Sequence, residues 1–285
     1  MEIKASQVKE LRDMTGVAMM ECKKALVECS GDIEKALDLL RSNSALKAEK
    51  KATRVAADGV LRVYVGENYS TLIEINSETD FAAKDENFIK FADDVQKFIS
   101  ENKLTNIADI QASEVEDKRR ALVQTIGENI QLRRLETIEY SSEMNTSSYV
   151  HSDSKLGSIV VVSGGDETLA KDIAMHVAAF NPLCLSETDI DPQILEREKA
   201  IYMVQAKESG KPQEIMEKMI EGKLKRFLSE VSLLSQNFVK DPDVTIQGLL
   251  DTNNAKIESY TRLKVGEGIE VETKNFADEV AEQLK

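Results

Sequence analysis

Apolar positions in the first forty residues recur at helical spacing, and the breaks fall at glycine. From Ala5 to Ser42 the pattern predicts three short helices, separated by turns at Gly16 and Gly31, with Ser6 and Asp32 placed as N-caps. In the third, Ile33, Ala36, Leu37 and Leu40 repeat at i, i+3, i+4 and i+7 and line one face. In the second, Met19, Cys22, Ala25, Leu26 and Cys29 form the stripe expected to be buried. At about 100° per residue, Met20 falls well away from its centre. Residues 1–44 therefore read as a compact three-helix module, and 45–58, rich in Lys and Ala, as a solvated linker with room for some helix.

Two later segments look like copies of one α+β unit. The first, 59–140, has strands at Val60–Val65 and Thr71–Asn76 around a turn at Gly66 to Asn68. Its helix places Phe88, Phe91, Ala92, Val95, Phe98 and Ile99 on one face. The second, 141–274, has a strand at Ser158–Ser163, a Gly164-Gly165 turn and a helix from about Glu167 to Phe180. Leu72 aligned on Ile159 gives an offset of 87 residues (159 − 72), and closing strands near Asn129–Ile138 and Lys256–Val265 would complete the copies. The second closing strand lies further on because of an insertion, about 190–229. There two helical patterns flank Ser209-Gly210-Lys211-Pro212, which predicts an antiparallel hairpin. Residues 275–285 carry Asn275 as a cap and Phe276, Val280 and Leu284 on one stripe, a terminal helix too short to stand alone.

Composition narrows the class. With 41% hydrophobic and 31% charged residues, four prolines and thirteen glycines, the chain reads as globular and soluble, not disordered or fibrous. Its 51 acidic and 37 basic side chains leave a net charge of −14, a field that repels a phosphate backbone, so direct nucleic-acid binding is not expected. Cys22, Cys29 and Cys184 form no CxxC pair and fit reduced cytosolic thiols. No apolar run approaches a membrane span and Met1 to Val8 is no signal peptide, so a cytoplasmic location is expected.

Candidate catalytic chemistry is thin. The two histidines, His151 and His176, are far apart in sequence, and His176 lies within a predicted helix where a structural role is the simpler reading. There is no G-x-x-x-x-G-K-[ST] loop, and Ser163-Gly164-Gly165-Asp166 lacks dinucleotide-binding spacing and reads as a turn. No cofactor, metal or enzymatic activity is expected. Two features instead ask for a partner. Met20 either packs on the linker or the next domain, or serves as a soft contact residue. In Thr79-Asp80-Phe81 the aromatic either tucks back into the core, which the residue pattern alone favours, or projects as an anchor.

The run Leu11-Arg12 with Thr15-Gly16, then Met19-Met20 and Cys22-Lys23-Lys24-Ala25-Leu26, resembles the N-terminal signature of the elongation factor Ts family. Thr79-Asp80-Phe81 with Ala83-Lys84, then Ile173 to Ala179, then Gly210-Lys211-Pro212 are similar to further blocks in the family's order, so the resemblance spans nearly the whole chain. Ala18 stands where the family usually has a second glycine, which bears on how the second helix starts.

This resemblance implies a guanine nucleotide exchange factor. The partner would be elongation factor Tu, GDP-bound or nucleotide-free, which would release GDP and rebind GTP during translation elongation. It also implies a ubiquitin-associated-like fold for the three-helix module, a core of two related α+β subdomains, a coiled-coil insertion and a C-terminal helix. Thr79, Asp80 and Phe81 would disturb the partner's magnesium and phosphate site. Arg12, Met19 and Met20 would belong to the N-terminal contact, and His151 is a weaker contact candidate. The rival reading is a general adaptor, whose three-helix module binds a ubiquitin-like or nascent-chain ligand.

Overall fold

The computed structural model describes residues 3–270; the helix predicted for 275–285 lies outside the described residues. Helix α1 (Ala5–Thr15) opens from Lys4, two residues before the position Ser6 predicts. It stops at Gly16, whose left-handed φ of +67° lets its N–H donate to the Arg12 carbonyl at 2.7 Å. Helix α2 (Met19–Glu28) starts from Ala18 at φ −55° and ψ 139°, an extended backbone that any residue adopts, so alanine at the expected glycine position brings no strain. Of the stripe predicted for α2, Cys22, Ala25 and Leu26 are buried, but Met19 is 50% exposed. Val17 fills that end of the core instead, its carbonyl accepting from Cys22 Sγ at 3.4 Å, and the first turn of α2 is left facing solvent.

Helix α3 (Ile33–Lys51), capped by Asp32 accepting from the Lys35 N–H at 3.1 Å, runs well past Ser42. Residues 45–51 contain no proline or glycine, and Ser44 and Ala48 are buried, Ala48 within the core of the following sheet. The stretch read as solvated linker is thus helix as far as Lys51, because one face of it is covered. Lys51 Nζ also donates to the Gly127 carbonyl, and Glu21 of α2 is bridged by Lys47 and by Gln124 Nε2.

Strands β1 (Asp58–Val65) and β2 (Tyr69–Ser77) are followed by helices α4 (Asp80–Ala83), α5 (Glu86–Asn102), α6 (Ile107–Gln111) and α7 (Glu114–Ile126), and then by β3 (Gln131–Glu139). The sheet order is β1-β2-β3, antiparallel throughout, with every residue of central β2 buried. Helix α5 lays its predicted face, Phe88, Phe91, Ala92, Val95 and Ile99, on Ile73 and Ile75, while Phe98 sits at the edge of that core. Buried Gln96 on the same face donates to Thr71 Oγ1 at 2.9 Å.

The second half repeats the plan. Strands β4 (Asn145–Val150) and β5 (Leu156–Ser163) precede α8 (Glu167–Phe180), the hairpin α9 (Pro192–Glu208) and α10 (Gln213–Val231), the short strands β6 (Asn237–Phe238) and β7 (Asp241–Thr245), helix α11 (Ile246–Thr252) and β8 (Lys256–Lys264). Its sheet order is β4-β5-β8. The hairpin turns at Gly210 (φ +63°) and Pro212.

The pairing registers of the two sheets superpose. Tyr69 to Asn76 on β3 matches Leu156 to Ser163 on β8 residue for residue, at the predicted offset of 87 on the central strand. Each ladder even carries a bulge at the same place, after Glu74 in one and after Val161 in the other. Leu72 and Ile159, the two residues that suggested the offset, meet with Leu61 and Leu263 in the apolar layer between the sheets. Strand β4 had no sequence signal, because Asn-Thr-Ser-Ser carries none of the apolar alternation that marked β1. The fold is α+β, with helices packed on one face of each small antiparallel sheet.

Candidate functional site

Strand β2 ends at Ser77, and the next residues are tied down before the chain turns. Glu78 accepts from the Asn129 N–H at 2.6 Å, and the Thr79 N–H and hydroxyl donate to the Glu128 carboxylate at 2.9 and 2.7 Å. Thr79 in turn caps α4, its Oγ1 accepting from the Ala82 N–H at 3.2 Å. Within this one-turn helix Ala82 and Ala83 face inward and are buried. Phe81 faces out and is 82% exposed. The core packing favoured by the residue pattern is therefore wrong. Ala83, Phe88 and Phe91 fill the core beneath, and the helical phase that buries the two alanines turns Phe81 away.

Asp80 pairs with Lys84 at 2.7 Å across i, i+4. That hydrogen bond, helped by the charges of Lys84 and Lys155, holds the Asp80 carboxyl below the usual carboxylate range, and the same bond raises Lys84. Asp80 is thus an anion and Lys84 a cation at neutral pH, side by side with an exposed ring.

Lys155 comes from the other half. It closes the β4–β5 turn, residues 151–155, in which His151 Nδ1 lies 3.0 Å from Asp153 Oδ1. Asp153 is held below the usual range, first by the Lys155 N–H that donates to it and then by His151. The turn is docked on β1: the Leu61 N–H donates to the Ser154 carbonyl at 2.7 Å, and Lys155 Nζ pairs with Asp58 at 2.8 Å. Since Asp58 pairs with Ser77 in the sheet, the His151 turn and the Asp80–Phe81 turn share one end of the molecule. The tethers Glu78, Glu128 and Lys155 escaped sequence reading, being single charges in a chain full of them.

The N-terminal candidates stand apart. Arg12 is exposed on α1, and Met19 and Met20 are exposed on the first turn of α2. Met20, 65% exposed, borders a shallow patch with Lys23, Lys24, Val27 and Glu28. Among the described residues no hydrogen bond or ion pair links Arg12 to the Phe81 turn.

His176 is a core residue, as its helix position suggested. It stacks on Phe180 with ring centroids 4.6 Å apart, and its Nδ1 accepts from the Val239 N–H at 3.2 Å, so the neutral ring donates from Nε2 to Gln236 Oε1 at 3.0 Å. Burial lowers its pKa from 6.5. The unfolded chain then takes up a proton before the folded one, so this stabilisation is complete above pH 6.5 and is lost as pH falls through the lower folded value. We expect His176→Gln to lower the melting temperature near neutral pH, and the gap from the parent chain to narrow on acidification below pH 6.5, as followed by circular dichroism.

Among the described residues no group of three His, Cys, Asp or Glu side chains is placed to hold a metal ion, and no helix is long and apolar enough to cross a membrane. What the geometry offers is a firmly tethered turn presenting an aromatic ring beside a charge pair, on a duplicated α+β core with a helical module at its N-terminus. Comparison with known proteins gives the class, a translation elongation factor. The profile described as Elongation factor TS matches residues 78–267, and the chain belongs to this family. It is 50% identical over 285 residues to the elongation factor Ts of Hahella chejuensis (strain KCTC 2396), covering 99% of each chain. Similar matches are the proteins of that name from Francisella tularensis subsp. novicida (strain U112), 48% identical over 99% of each chain, and Thioalkalivibrio sulfidiphilus (strain HL-EbGR7). The latter is 46% identical over 100% of this chain and 99% of its own.

Proposed function

We propose that this chain is a guanine nucleotide exchange factor of translation elongation that acts in the cytoplasm on elongation factor Tu. The observation that carries the reading is Phe81, a large apolar side chain 82% exposed on a turn that four hydrogen bonds hold in place. Such a ring gains little by facing water and much by entering a pocket on another protein. Asp80 and Phe81 press on the partner's nucleotide domain and disturb its magnesium and phosphate-binding elements, while Arg12, Met19 and Met20 hold the same domain through the N-terminal module. Linkage supplies the driving force. If the chain binds nucleotide-free partner more tightly than GDP-bound partner, GDP binds the complex more weakly by the same ratio. No bond is made or broken.

The test is release of labelled GDP from purified elongation factor Tu with and without the chain. Acceleration supports exchange, whereas an unchanged rate with retained binding points to an adaptor. In the same assay we expect Met20→Ala to weaken partner binding with a stability change within about 0.5 kcal/mol, as for a surface site. Leu26→Ala, which empties a fully buried position six residues on, should destabilise by ~2–5 kcal/mol. Equal losses of melting temperature in the two variants would show Met20 to be part of the core.

A further inference from the structure

The bulge shared by the two sheets is used differently in each. In an unbroken strand Arg133 and Arg134 would point to opposite faces. Here Glu74 pairs with Arg134 and Ile75 with Leu132, so Arg133 is the extra residue, and both guanidiniums reach the same carboxylate. Glu74 is completely buried on the face that meets the other sheet. Arg133 Nη1 donates to its two oxygens at 3.0 and 3.1 Å, Arg134 Nε donates to Oε2, and the Gly266 N–H donates to Oε1 at 2.8 Å. The spare nitrogens continue across the junction: Arg133 Nη2 donates to the Glu267 carbonyl and Arg134 Nη2 to the Lys264 carbonyl, each at 2.7 Å. Every one of these outward bonds ends on residues 264–267, the exit of β8.

That segment is pressed hard against the first half. A Cβ on Gly266, whose φ is +74°, would lie 2.2 Å from the Ala57 carbonyl oxygen, just ahead of β1. At the matching bulge of the second sheet the central residue is Val161, also buried, and the extra residue is Glu258, which turns to Ser163 and Lys256 of its own half. The charged cluster is therefore not required by the bulge. A buried carboxylate with two arginines gains little net stability over apolar groups of the same volume, and its better-attested use is to fix one arrangement among several.

We infer that Glu74, through Arg133 and Arg134, is a positioning residue that locks the end of β8 onto the first half. Phe81, seven residues further along the same strand and turn, then meets the partner together with the second half. This rests on the exchange reading given above. The clamp fixes the angle between the sheets, and that angle decides whether contacts from both halves form on one partner molecule at once.

The test combines Glu74→Val, Arg133→Met and Arg134→Met, which removes all three charges together and leaves none buried alone. Spin labels at Lys97→Cys and Lys171→Cys, exposed on α5 and α8, report the distance between the halves in a Cys29→Ser background. We expect a folded variant by circular dichroism, a broadened distance distribution, and GDP release at saturating factor reduced about 2- to 30-fold, the range for a coupling change of ~0.5–2 kcal/mol. An unchanged distribution, or a broadened one with undiminished release, overturns the proposal. Should the triple variant not fold, Glu74→Gln decides by the same two readouts, with at least part of both changes expected. If the parent chain itself does not accelerate GDP release, the exchange reading fails, and the label distances still show whether the clamp sets the angle.

Discussion

Phe81→Ala should leave the fold intact and cut nucleotide exchange by about 5- to 150-fold, the equivalent of ~1–3 kcal/mol for an interface anchor. The ring contributes nothing to the core at 82% exposure, and burial of the turn is carried by Ala82 and Ala83. The bonds from Thr79 to Glu128 and from Ala82 to Thr79 do not involve the Phe81 side chain. Melting temperature and GDP release, measured on the same preparation, separate the outcomes. A variant that melts much lower would mean that the ring packs inside, and a folded variant with full exchange would remove Phe81 from the mechanism.

Phe88→Ala should do the opposite. Among the described residues Phe88 is the largest completely buried side chain, carried by α5 into the core over the central strand, and its truncation is expected to destabilise by ~3–5 kcal/mol. At ~2–4 °C per kcal/mol for a domain of about 150–250 residues, the melting temperature should fall by roughly 6–20 °C. Exchange per folded molecule should stay near the parent value at a temperature where the variant remains folded. A melting temperature within a degree of the parent would show that the site collapses around the loss.

These two phenylalanines also show where the sequence was readable. They stand seven apart, a separation that would place both on one face of a continuous helix. The helix is not continuous: α4 ends at Ala83 and α5 begins anew after Asp85, so the phase is reset between them. The α5 face was nonetheless predicted, because the apolar spacing from Phe88 to Ile99 is regular within that helix. That Thr79 opens a separate turn of helix was not, because its partner Glu128 lies on the far side of α6 and α7. The same limit applies to the His151 turn. Its seat on β1 depends on a backbone bond from Leu61 to Ser154 and on one ion pair, neither of which has any periodic trace. Elements whose burial repeats along the chain, such as α8 and β5, were legible nearly to the residue. Met19 failed because burial at a helix end depends on what covers it, here Val17, and not on phase alone.

The duplicated ladders are closed over very different stretches of chain. In the first half β3 returns to β2 after Glu78 to Ile130, whereas in the second β8 returns to β5 only after the hairpin, from Gly164 to Ala255. Chains are made from the N-terminus, and long-range pairings form late because their loops cost more entropy to close. During synthesis the first sheet can be complete once Glu139 has emerged, while β5 must wait with one edge uncovered until Lys264 arrives. A chain halted just past residue 240 should therefore protect the amides of β2 from hydrogen exchange and leave those of β5 open on the side that β8 will occupy. The helical hairpin, whose two helices pack chiefly on each other, is expected to form during that wait, since local contacts cost the least entropy to close.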